Sequence, residues 1–242
     1  MLIQQTIEKL NQMRLKGMAE CYESQVGDSY AELSFDERFS MLVDYELTYR
    51  ENRRMARLLK EARLKEPACV EDIDYQHPRS LDRNVMSHLA SCQWLQNGQN
   101  VLVTGPTGIG KTFIICALGN HACRHNYSTR YYRVSRLLMD INIARGDGTY
   151  PKFLNKLAKT NLLILDDWGL NPLNQEECRD MFEIIDDRVK TGSTVISSQL
   201  PVDHWHSFMA EPSIADAILD RLIHSSHKLN LKGESMRKKE NN

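Results

Sequence analysis

Residues 100–118 run Asn-Val-Leu-Val-Thr, then Gly-Pro-Thr-Gly-Ile-Gly-Lys-Thr, then Phe-Ile-Ile-Cys-Ala-Leu. This is a short apolar strand, a glycine-rich turn and the start of an apolar helix, the context that gives a G-x-x-x-x-G-K-[ST] spacing its meaning. Glycine reaches backbone conformations barred to other residues. The turn Gly105, Pro106, Thr107, Gly108, Ile109, Gly110 can therefore gather successive amides into one concavity, completed by the positive end of the following helix. Lys111 supplies a mobile ammonium for the β- and γ-phosphates, and the Thr112 hydroxyl is a ligand for Mg²⁺. A chain built round such a turn is expected to be an α/β protein that binds a nucleoside triphosphate.

The 242 residues suffice for one α/β domain and a small helical one. With 31 basic and 32 acidic residues, no global basicity advertises nucleic acid, so any such contact must come from local patches. The six cysteines form no C-x-x-C pair and show no zinc spacing. Cys116 and Cys123 read as small buried apolar residues of the helix after the turn. Nothing suggests disulfides, a signal peptide or the run of roughly 18 apolar residues of a membrane span. A cytoplasmic protein without membrane contact is the expectation.

The first 67 residues read as helical. Ile3, Ile7 and Leu10 share a helix face, and Gly17 then marks a break. Ser34-Phe-Asp-Glu37 has the form of a capping box. The helix it opens carries Phe35, Phe39, Leu42, Tyr45 and Tyr49 on an apolar side and runs to about Ala62, before Glu66-Pro67 ends the pattern. Between Arg50 and Lys65 lie seven basic residues against two acidic ones. Arg50, Arg54 and Arg57 share one face, as do Arg53, Arg57 and Lys60. Such a stripe can neutralise successive backbone phosphates of DNA, and the same spacing suits a solvated helix face. Residues 68–98, with a helical run around 81–95, read as a connector.

Beyond the first helix, residues 129–134 form an expected second strand. A helix capped by Ser135 and another over Tyr150–Thr160 follow. Lys152, Lys156 and Lys159 make a second basic face there, open to DNA or to water. Asn161-Leu-Leu-Ile-Leu-Asp166-Asp167-Trp168-Gly169 then reads as a buried strand with two carboxylates at its C-terminal end, where ligands bind in open α/β sheets. Asp166 is positioned to hold Mg²⁺, and Asp167 to orient and deprotonate an attacking water. Asn174 is expected to cap a helix over Gln175–Lys190. Residues 193–199 make a fourth strand whose polar tip, Ser198 or Gln199, can reach a γ-phosphate. A helix over residues 213–222 and a strand over residues 228–231 complete the core.

The order of phosphate loop, LLILDDWG, SSQLP, ADAILDRL and KGESMRK resembles the AAA+ ATPases. Within them it is most similar to the IstB-like helper ATPases of insertion-sequence transposition, with DnaC-type helicase loaders as relatives. The likeness covers essentially the whole chain, including Tyr49-Arg-Glu-Asn-Arg-Arg54. It implies a five-stranded parallel sheet flanked by helices, an N-terminal helical domain and no substantial C-terminal lid. The domains would be a DNA-binding and oligomerisation domain over 1–67, a connector over 68–98 and an AAA+ core over 99–242.

Residue by residue, the resemblance puts Gln199 at the polar sensor position and Arg221 at the arginine finger that acts in a neighbouring subunit. Arg237 falls at a second sensing arginine. Asp167 stands where many AAA+ proteins carry Glu, so slow turnover is expected without DNA and partner. The helix pair at 136–160 resembles the insertion with which initiators and loaders grip nucleic acid. The implied activity is ATP hydrolysis with Mg²⁺, in an oligomer on duplex DNA that prepares a target and serves a transposase. The alternatives are a helicase loader, a P-loop kinase with a small acceptor and a nucleotide-gated binding module.

Overall fold

The computed structural model describes residues 2–26, 30 and 32–236. Contacts divide the chain into two compact units, Met1–Arg57 and Leu58–Asn242. No helix among the described residues is long and apolar enough to cross a membrane.

The smaller unit holds α1 (Leu2–Gln12), α2 (Lys16–Ser24) and most of α3 (Phe35–Ala62). The expected break at Gly17 falls earlier, at Arg14, whose φ is +62°. Gly17 lies inside α2 because its missing side chain lets α3 approach. A Cβ there would stand 2.7 Å from Tyr49 Cβ and 2.8 Å from Glu46 Cα. Beside it the buried Glu46 carboxylate accepts the Met18 amide at 3.0 Å and Arg50 Nε at 2.6 Å. Burial alone would push Glu46 up; the Arg50 hydrogen bond and these amides outweigh it and hold the carboxyl below its usual range.

The capping box at the start of α3 is present, with the Ser34 amide donating to Glu37 Oε2 at 2.8 Å and the Glu37 amide to Ser34 Oγ at 3.3 Å. The apolar side of α3 is not a core face. Phe35, Phe39 and Tyr45 are 71%, 51% and 47% exposed.

The larger unit is the expected five-stranded parallel sheet. Its strands are β1 (Asn100–Thr104), β2 (Thr129–Arg133), β3 (Leu162–Trp168), β4 (Ser193–Ser198) and β5 (Ser226–Asn230), in the order β2-β3-β4-β1-β5. The helices are α4 (Arg83–Ala90), α5 (Gln93–Gln96), α6 (Lys111–Arg124), α7 (Val134–Gly146), α8 (Tyr150–Ala158), α9 (Gln175–Asp186) and α10 (Pro212–Ile223). Strand alternation sorts them into two layers. Val101, Val103, Leu162 and Ile164 face α6 and the connector helices, whereas Leu102, Leu163, Leu165 and Ile196 face α7, α9 and α10.

Several local expectations are corrected. The run at 81–95 is two helices, split at Cys92 with φ +57°. α7 starts at Val134, so Ser135 lies within it and Arg133 takes the cap position. Asn174 caps α9 in a full capping box with Glu177, but the helix stops at Asp186 and turns lead to Lys190 at φ +61°. β5 begins two residues early, at Ser226. Among the described residues no α-helix follows it.

Candidate functional site

The C-terminal ends of β1, β3 and β4 meet at a cavity of about 370 Å³ lined by Lys111, Thr112, Asp166, Asp167 and Gln199. β1 is buried along its whole length and leads straight into the glycine turn. Two glycines there are required by close approach. Gly108 (φ +76°) is covered by Ser235 and Gly110 (φ +90°) by the Arg79 guanidinium, so a side chain at either would collide. Gly110 is the N-cap of α6, which places the amides of the turn and the positive helix end round one hollow. Lys111, nearly buried, donates from Nζ to the Gly105 and Pro106 carbonyls at 2.7 and 2.8 Å.

β3 supplies two consecutive carboxylates with different surroundings. In a regular strand neighbouring side chains point to opposite faces. The pairing of β3 with β4 shifts between Leu165 and Trp168, and Asp167 takes φ +61°. This bulge re-aims Asp167 so that both carboxylates line the cavity.

Asp166 is 1% exposed. Its Oδ2 accepts Thr112 Oγ1 at 3.0 Å and the Tyr131 hydroxyl at 2.7 Å, and its Oδ1 accepts the Asp167 amide at 3.0 Å. Burial, and next the Asp166 charge, push the Tyr131 phenol far up, so it remains a proton donor. Asp167 is more open and sits 3.7 Å from Arg133 Nε. An adjacent hydroxyl and carboxylate are the oxygen donors Mg²⁺ takes, with phosphate and water completing its octahedron. Thr112 and Asp166 thus fit the ion.

At the tip of β4 the two polar candidates separate. Ser198 Oγ donates to the Trp168 carbonyl at 2.7 Å and accepts the Leu200 amide at 3.0 Å, which makes it a brace. Gln199 lines the cavity. Arg221 does not line it. Its guanidinium lies over Phe182, 4.8 Å from the ring centroid, with Nε 2.6 Å from Asp186 Oδ1. Arg237 lies outside the described residues; the preceding Met236 donates its amide to the Gly108 carbonyl at 2.9 Å. Of the basic candidates, Arg50 is bonded to Glu46, and it is exposed, as are Arg53, Arg54, Arg57, Lys152 and Lys156.

Sequence reasoning missed Arg79. It is 2% exposed, donates from Nη1 to the Ile109 carbonyl at 3.1 Å and from Nη2 to the Asp74 carbonyl at 2.7 Å, and so ties the connector to the phosphate loop. Burial lowers its pKa. Lys65, Glu66, Asp72 and Asp74 line the same cavity. No spacing signal links these residues to a loop some thirty to forty positions away.

The family model described as IstB-like ATP binding protein matches residues 8–242. The insertion sequence ATP-binding protein y4pL of Sinorhizobium fredii is 43% identical over 239 residues, covering 98% of each chain. The ATP-binding protein of insertion sequence IS1162 from Pseudomonas fluorescens is 48% identical over 204 residues, covering 83% of this chain and 88% of that one. Among solved structures, the DnaC helicase loader superposes with a TM-score of 0.57 at 18% identity, over 68% of this chain and 97% of that chain. That last likeness concerns the fold alone.

Proposed function

We propose, from the premise that this chain belongs to the IstB-like ATP-binding protein family, that it hydrolyses ATP in an assembly on duplex DNA and presents that DNA to a transposase. The observation that carries the hydrolytic reading is the divided carboxylate pair. Asp166 is buried and held beside Thr112, as a Mg²⁺ ligand must be; Asp167 is turned by the bulge to open space beside it, as a base for water must be. Thr112 and Asp166 would hold Mg²⁺, which would supply positive charge to offset that on the β- and γ-phosphates. Lys111 contacts the same phosphates, Gln199 orients water or reports the γ-phosphate, and Arg237 senses the nucleotide.

Arg221 acts on the site of a neighbouring copy, where its charge stabilises the transition state. Two features support a subunit contact. Arg221 lies away from its own nucleotide cavity. A second cavity of about 260 Å³ opens on the other side of Asp167, beside the exposed apolar Met139 and Leu170. ATP binding and assembly are then linked, each favouring the other.

DNA contact is assigned to Arg53, Arg54 and Arg57 of α3, with Arg50 partly withdrawn by Glu46, and to Lys152 and Lys156 of α8. Residues 1–67 serve DNA binding and self-association, 68–98 connect, and 99–242 carry the AAA+ chemistry. Bending a site by tens of degrees costs on the order of 1–6 kcal/mol, which phosphate contacts from several subunits can offset.

Sedimentation and electron microscopy of protein, duplex DNA and a non-hydrolysable ATP analogue test this reading. A nucleotide-dependent oligomer on DNA that weakens steeply with salt is expected; a monomer indifferent to DNA would refute it. The fold likeness to the DnaC helicase loader supports a second reading, the loading of a replicative helicase. Affinity capture separates the two by whether a helicase or a transposase is retained.

A further inference from the structure

We propose that Cys92, His121 and His125 form a binding site for a borderline-soft divalent cation of the Zn²⁺ class, separate from the nucleotide site. One ligand atom from each residue lies within 4.8 Å of the others. Zn–S and Zn–N bonds of about 2.3 and 2.0–2.1 Å meeting at tetrahedral angles need separations of about 3.3–3.6 Å. A small closure suffices, and His125 is exposed at the C-cap of α6, where its ring can move. The cation would take three protein ligands and a water.

The hydrogen bonds round the two imidazoles favour this use. His121 Nε2 lies 2.8 Å from the Ala90 carbonyl and His125 Nδ1 lies 2.9 Å from the His121 carbonyl. A carbonyl accepts only, so each of these nitrogens carries the proton and the other nitrogen of each ring keeps its lone pair. Metal-bound histidines show this second contact, which fixes tautomer and ring orientation. His121 Nδ1 is buried and has no hydrogen-bond partner, an uncommon condition that a metal ion would relieve.

Backbone geometry brings the sulfur in. Cys92 sits at φ +57° in the turn between α4 and α5, and the two histidines are i and i+4, His121 in the last turn of α6 and His125 at its C-cap, their rings tilted with centroids 4.2 Å apart. On binding, the Cys92 thiol passes its proton to solvent and the thiolate sulfur bonds the metal; no oxidant or reductant is required. The metal would then clamp the connector to the helix that begins at the phosphate loop.

Cobalt(II) alone, titrated into the full chain without nucleotide, tests the site. The expected result is one equivalent giving the intense visible bands of a tetrahedral ion and a near-ultraviolet sulfur-to-cobalt charge-transfer band, both removed by excess Zn²⁺. Cys92→Ser should abolish the charge-transfer band. His125→Ala, at an exposed position where folding is safe, should weaken binding at least tenfold. Only the faint bands of an octahedral ion, as an all-oxygen site at Thr112 and Asp166 would give, would overturn the proposal. So would a charge-transfer band that survives in both variants.

Discussion

In the larger unit, strands and covering helices hide most of the large apolar side chains, and Trp94, Trp168 and Trp205 are each at most 1% exposed. In the smaller unit α3 turns Phe35, Phe39, Met41, Val43, Tyr45 and Leu47 to solvent. Both sequences contain apolar residues at helical spacing, but the larger unit meets them with a sheet while the smaller offers two short helices. The larger unit is built to hold a ligand by itself. Phe35, Phe39, Val43 and Leu47 of the smaller unit recur at i, i+4 and are exposed, a face the proposed assembly would use for association. This fits the proposed assembly, in which chemistry belongs to one unit and association is shared with the other.

Breaking the chemical side alone should give the largest effect. Asp167→Asn removes the proposed base and should lower the steady-state ATPase rate by roughly 10²–10⁴-fold while isothermal titration still finds ATP bound. Lys111→Ala should instead weaken ATP binding itself, by about 10- to 150-fold if the lost charge-assisted interaction contributes about 1.5–3 kcal/mol in all, with the circular dichroism spectrum unchanged.

Altering the association side should spare the chemistry. Burying a Phe side chain stabilises by about 1.5–3 kcal/mol, so Phe35→Ser with Phe39→Ser should weaken self-association tenfold or more in sedimentation. ATP affinity should not move; an equal loss of both would erase the distinction between the units. Gly17→Ala sharpens the contrast further. It gains helix propensity, but its Cβ meets the backbone at Glu46 Cα. A net loss of about 1–3 kcal/mol is expected, seen as earlier unfolding of the smaller unit with the nucleotide-bound unit unaffected.

Much of the nucleotide site was legible in the sequence because its parts are local: a strand, a glycine turn and a helix start are one contiguous text, and LLILDD is another. The buried strands β1 and β3 followed from apolar runs bounded by polar residues, whereas the five-stranded parallel arrangement came from the family resemblance. Three things lay beyond that reach. The bulge that separates Asp166 from Asp167 is a feature of pairing between β3 and β4, so the residues alone did not disclose it. Arg79 reaches the phosphate loop only through tertiary packing. The Cys92, His121 and His125 cluster contains a legible i, i+4 histidine pair, but its sulfur comes from a left-handed turn 29 positions before His121. The placement of the helix break at Gly17 erred for a related reason. A buried glycine that admits a neighbouring helix looks, in one dimension, like a glycine that ends one.

The most direct measurement mixes two inactive proteins. Asp167→Asn can bind ATP and lend Arg221 to a neighbour but cannot hydrolyse; Arg221→Ala keeps an intact cradle and base but has no guanidinium to lend. If each nucleotide is completed by two copies, an equimolar mixture on duplex DNA should hydrolyse ATP well above the sum of the two variants alone. If Arg221 serves only its own subunit, the mixture will show that sum and nothing more.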